Sequence, residues 1–63
     1  MQFETRIREI RTKQGLTQKE LAQAAGVGRS FIAQLENGGK RPSVVTLIKI
    51  SNALNVIVSD LIV

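Results

Sequence analysis

The sequence predicts an all-α fold: a compact domain of five short helices spanning residues 1–63. Three observations predict it. Apolar residues recur at helical spacing, and each helical stretch is bracketed by capping or left-handed-turn residues. No strand pattern competes, since Val56-Ile57-Val58 is β-branched but too short. No internal repeat or low-complexity stretch interrupts the chain.

The first helix is predicted over residues 3–14. Phe3, Ile7 and Ile10 stand at i, i+4 and i+7, while Glu4 with Arg8 and Glu9 with Lys13 form i,i+4 pairs in the favourable order. Gly15 then supplies a left-handed stop. The second start is the best marked. Thr17 and Glu20 form an S/T-x-x-E capping box, and Leu16 and Leu21 occupy the positions of a hydrophobic staple. This helix presents Leu21, Ala22 and Ala25 on one face and must end at Gly26. So short a helix needs tertiary packing to persist.

Gly28 opens the third helix, with Phe31, Ile32 and Leu35 as its apolar positions and Asn37-Gly38-Gly39 as its end. Lys40-Arg41-Pro42 reads as an exposed basic loop. Ser43 caps the fourth helix, where Val44, Leu47, Ile48, Ile50 and Leu54 wrap more than one face. That pattern predicts a helix central to the core, and the segment from Val44 to Val63 reads as mostly buried. Asn55-Val56 breaks it, and a last turn or helix near residues 58–62 returns Leu61 to the core.

Composition narrows the function. With 63 residues the chain is one domain, small enough to be marginal unless well packed or paired with another subunit. There is no Cys, so no disulfide staples it, and no His, so the commonest general base and the usual zinc ligands are both missing. The five acidic residues are scattered, and no glycine-rich phosphate loop follows a strand. No enzyme, metal, cofactor or small-molecule ligand is therefore expected. The only aromatics are Phe3 and Phe31, too few for the base-stacking platforms of single-strand binders. No apolar run approaches the roughly 20 residues of a membrane span. Nine Lys and Arg against five Asp and Glu leave a net charge of +4, and all the cations except Lys49 lie at or before Arg41. The balance suggests an anionic partner.

Thr17 to Gly38 is the informative segment. Two short helices joined by a tight glycine-containing turn, the second with a polar, partly basic outer face, make a helix-turn-helix. Ala22 must be small where the helices cross, Gly26 must accept positive φ, and Val27, Ile32 and Leu35 anchor the second helix. Arg29, Ser30, Ala33 and Gln34 are left facing outward.

The string LTQKELAQAAGVGRSFIAQLENGGKRPS, followed by TLIKISNALNV, resembles the Cro/phage-repressor (XRE-type) helix-turn-helix family over nearly the whole chain. The resemblance implies a five-helix, lambda-repressor-like domain that binds double-stranded DNA in the cytoplasm of a prokaryotic cell. It would act as a transcriptional regulator, in most cases a repressor and a homodimer on a pseudo-palindromic operator. Carried onto this chain, the positions that read base edges in the major groove are Arg29, Ser30 and Gln34. Their chemistry fits that role, since Arg pairs with guanine, Gln with adenine, and Ser with either. Gln18, at the N-terminus of the second helix, would clasp a phosphate with free backbone N–H groups, Thr17 contributing secondarily. Asn37, Lys40 and Arg41 are expected to meet the backbone at the groove edge. Phe31 either lies against a sugar or thymine methyl or is a partly exposed packing residue.

The resemblance also implies a mostly buried ion pair between Arg11 and Glu36, which makes Arg11 structural. Arg6, Arg8 and Lys13 read as a solvated helix face. Two positions depart from the family pattern. Gly28 stands where Ser or Thr usually caps the third helix, leaving only its backbone N–H for a phosphate. Ile57 stands where Ser or Asp usually caps the last helix, leaving it poorly capped unless Ser59 takes over. Ile57, with Asn55, Ile62 and Val63, is proposed as the dimer interface, the alternative being a frayed or cut terminus. A second functional reading, the DNA-binding antitoxin that also docks a partner protein, is weaker because no tail or further domain is present in this sequence to grip one.

Overall fold

The computed structural model describes residues 5–62. Among the described residues there are four helices, α1 (Ile7–Lys13), α2 (Gln18–Ala25), α3 (Arg29–Glu36) and α4 (Val44–Leu54), followed by a 3₁₀ turn at Val58–Leu61. The fifth element is therefore a single tight turn and not the expected fifth helix. Its N-cap, Ile57, has no side-chain acceptor, and Ser59 does not replace it. Asp60 instead reaches back, its Oδ2 accepting from the Ile57 N–H at 3.3 Å.

The first helix is shorter than expected at its start. Phe3 and Glu4 lie outside the described residues. Thr5 forms an antiparallel bridge with Ile62, and the Arg6 N–H donates to Leu61 O at 2.8 Å. This pairing of the chain's two ends holds residues 5 and 6 out of the helix, overriding a helical periodicity that would have run through them. Arg6 becomes the N-cap, Gln14 the C-cap, and Gly15 follows at φ 73.

The α2 boundaries follow directly from local chemistry. Thr17 Oγ1 accepts from the Glu20 N–H at 3.0 Å, and Glu20 Oε1 accepts from the Thr17 N–H at 2.9 Å. The backbone N–H and hydroxyl of Thr17 hold the Glu20 carboxyl below its ordinary range. Gly26 ends α2 in the left-handed region at φ 73. Ser43 caps α4 through the Thr46 N–H, and Asn55 ends it at φ 57.

Ile7, Leu21, Ala22, Ala25, Ile32, Leu35, Ile50, Leu54 and Leu61 form the core, with Leu16, Val27 and Phe31 packed on its margin. α2 lies between α3 and α4, and α4 carries the final turn. The amide of Gln14 donates to Leu54 O at 2.7 Å, satisfying one of the carbonyls left open at the end of α4. Only the inner stripe of α4 is core, at Ile50, Ser51 and Leu54 with Leu47 half-buried. This corrects the expectation of a mostly buried C-terminal third. Val44 is 70% exposed, Val45 62%, Ile48 45%, Ile57 66% and Ile62 52%.

Candidate nucleic-acid interface

α3 is built to be held on one side and presented on the other. Ile32 and Leu35 are buried against the core while Arg29, Ser30 and Gln34 are exposed, and Ala33 is half-buried. The tight α2–α3 connection is possible because Gly26 turns left-handed and the Val27 N–H returns to Ala22 O at 2.9 Å. The small Ala22, buried beneath, lets the two helices approach.

The C-terminal end of α3 is fixed by a polar network. Arg11 donates from Nε to Glu36 Oε2 at 2.7 Å, from Nη2 to Glu36 Oε1 at 3.1 Å, and from Nη1 to Leu16 O at 2.7 Å. The Glu36 side chain is 0% exposed and that of Arg11 11%. Glu36 Oε1 also accepts from Gln18 Nε2 at 3.1 Å and Arg8 Nε at 3.3 Å. Burial alone would raise the Glu36 carboxyl. The hydrogen bonds from Arg11 and Gln18, the Arg11 charge and the Arg8 bond outweigh it and hold the group below its ordinary range. One carboxylate therefore ties α1, α2 and α3 together.

This network alters the roles of two side chains. Arg8 is not a purely solvated side chain: although largely exposed, it bonds Glu36. The Gln18 amide is engaged inward, so an anion at the start of α2 would meet its second N–H and the first-turn backbone, not a free side chain. Neither feature is apparent in the linear sequence, because Arg8 and Gln18 carry no mark of convergence on a residue so far along the chain. Lys13 does approach its expected partner Glu9, at 3.9 Å.

The remaining predicted contacts surround α3. Gly28, its N-cap, has extended backbone at φ −80, ψ 151 and no side-chain cap. Asn37 is exposed, and its Oδ1 accepts from the Gly39 N–H at 2.8 Å, closing the turn after α3. Lys40 and Arg41 are exposed in the following loop. Phe31 is half-buried and packed against the core, with the Lys40 ammonium over its ring. Asn55, Ile57 and Ile62 are exposed, and Val63 lies outside the described residues.

The Gly28 site yields a stability prediction. A Cβ there meets nothing within 4 Å, and the backbone conformation suits any L-residue. Gly28→Ser is expected to stabilise the domain by about 0.5–1 kcal/mol, through a gained cap and a less flexible unfolded chain. A rise of several degrees in thermal midpoint checks this; an unchanged or lower midpoint contradicts it.

This fold and its exposed helix have clear relatives. A helix-turn-helix family model matches residues 7–61. The chain belongs to the helix-turn-helix family. An HTH-type transcriptional regulator of Archaeoglobus fulgidus is 46% identical to this helix-turn-helix chain over 59 residues, covering 94% of it and 84% of the relative. The immunity repressor protein of Bacillus phage phi105 is 39% identical over 57 residues, 90% of this chain but 40% of that repressor. Among solved structures, the restriction-modification controller protein C.AhdI from Aeromonas hydrophila superposes with a TM-score of 0.86 at 36% identity, covering 87% of this chain and 83% of that one. The helix-turn-helix chain is thus a DNA-binding transcriptional regulator by family and not an enzyme. No helix among its described residues is long and apolar enough to cross a membrane.

Proposed function

We propose that this regulator is a repressor that binds a pseudo-palindromic operator as a homodimer, with α3 of each copy in the major groove. One observation carries the reading: Arg29, Ser30 and Gln34 stand exposed along a helix whose opposite side, Ile32 and Leu35, is wholly buried. These three side chains read base edges. Thr17, Gln18, Gly28, Asn37, Lys40 and Arg41 contact the phosphate backbone on either side of them. Arg11 and Glu36 hold the frame. The setting is the cytoplasm of a prokaryotic cell, on bacterial, archaeal or phage DNA.

A single copy offers too few base contacts to select one site in a genome. In a two-fold pair of such copies, the two α3 helices are expected to lie one turn of DNA apart, about 34 Å. Ile57 and Ile62, exposed beside the turn after α4, provide apolar surface for that contact, with Asn55 at the margin and Val63 following. Ile57→Asp is expected to shift the monomer–dimer equilibrium toward monomer in sedimentation experiments and to weaken operator binding steeply. An unchanged equilibrium rules out this interface.

Phosphate contacts make a separate prediction. Arg41→Ala should weaken binding to all duplexes by about the same factor and reduce the slope of log affinity against log salt by about 0.9. Titrations at several salt concentrations, on operator and non-operator DNA, measure both. A loss confined to one sequence, or an unaltered slope, would remove Arg41 from the phosphate-binding set.

A further inference from the structure

The Lys40 ammonium lies over the Phe31 ring, 5.1 Å from its centroid. Both partners are held in place. Phe31 sits in the first turn of α3, half-buried and packed on the core, so its ring is a fixed surface. Lys40 is delivered by the turn that ends α3. Gly38 takes φ 77, and the Gly39 N–H donates both to Gln34 O at 3.0 Å and to Asn37 Oδ1 at 2.8 Å. A Cβ at Gly39 would stand 2.9 Å from that Asn37 oxygen and displace the bond. The turn therefore reverses the chain and lays Lys40 back along the recognition helix.

A lysine loses much rotamer freedom when it is fixed on a phosphate, and that loss opposes binding. The face of an aromatic ring attracts an ammonium and restricts it in advance. We propose that Phe31 is a positioning residue for DNA binding: its ring holds the Lys40 ammonium beside α3, ready for a backbone phosphate. This rests on the DNA-binding reading above. Phe31 then acts through Lys40, without reading a base itself.

The test is a double-mutant cycle of Phe31→Leu and Lys40→Ala, with Phe31→Trp as the conservative variant. Each protein is titrated over a range of salt against a duplex of random sequence and against a duplex bearing the wild-type chain's selected site. Phe31→Leu is expected to weaken both duplexes about two- to fivefold, the range of an exposed cation–π contact. It should add nothing once Lys40 is alanine, and Phe31→Trp should retain wild-type binding. In the free protein, the Lys40 side-chain methylene protons should resonate upfield under the ring current and lose that shift in Phe31→Leu. An equal loss from Phe31→Leu in both Lys40 backgrounds overturns the proposal, since the ring then acts by packing alone. So does an effect confined to the selected duplex, which would make Phe31 a base reader, or the absence of the upfield shift. If the wild-type chain bound neither duplex, the DNA-binding reading itself would fail, a result distinct from these.

Discussion

Arg11→Ala is expected to leave the domain largely unfolded at room temperature. The substitution removes two hydrogen bonds from a carboxylate with no exposed surface and one from Leu16 O. Gln18 and Arg8 remain on Glu36, but the nearest compensating charge is gone. Breaking a buried pair by deleting one partner typically costs about 3–5 kcal/mol. A core of this size rarely supplies more than about that amount in total. Urea denaturation followed by circular dichroism measures the effect. Removing both charges at once, as in the double variant Arg11→Met with Glu36→Leu, should recover much of the loss, because no stranded charge remains. A single variant as stable as wild type would show that the network is dispensable. The same carboxylate gives the domain an acid limit. Glu36 is held below its ordinary range, so its contribution is complete above the unfolded-state value and is lost as pH falls through the lower folded-state value. Stability should therefore decline below the usual carboxylate range.

Gln34→Ala is expected to abolish discrimination at one base pair in each half-site while leaving the fold intact. Gln34 is exposed on α3, one turn beyond Ser30, and no packing depends on its side chain. Its backbone carbonyl, which accepts from Gly39, is unaffected by the substitution. A bidentate amide-to-adenine pair is worth about 1–3 kcal/mol of discrimination, or about 5- to 150-fold per position. In a dimer the loss occurs twice. Competition among operator variants changed one base pair at a time measures it. The thermal midpoint, controlled in parallel, should stay within about 0.5 kcal/mol of wild type in stability. If Gln34→Ala left the ranking of variants unchanged, Gln34 would not be a base reader.

The parts of the fold that can be read from the sequence are those set by neighbouring residues. Thr17 with Glu20, Gly26, Ser43 and Asn55 each impose a local conformation, and each marks a helix boundary where the pattern predicts one. The exposure of Arg29, Ser30 and Gln34 follows from the same local periodicity. What stays hidden depends on pairings distant in sequence. The delayed start of α1 comes from Arg6 meeting Leu61, which no helical pattern in residues 3–14 can reveal. The exposed face of α4 at Val44, Val45 and Ile48 defeats a pattern-based reading, because apolar residues on both sides of a helix look like deep burial. The polar residues Lys49 and Asn52 on the same helix, both exposed, are the available signal against that reading. Gln18 and Arg8 on Glu36, and Lys40 on Phe31, are three-dimensional meetings with no linear signature. They refine the candidate site without moving its centre.

That centre, the proposal that α3 offers its exposed Arg29, Ser30 and Gln34 to the edges of base pairs, is tested most directly by selecting bound sites from random duplex DNA with the wild-type chain. The expected product is a single enriched motif of two inverted half-sites, their centres about 10 base pairs or a multiple of that apart. Recovery of no enriched sequence at low salt, where binding should be strongest, would contradict it.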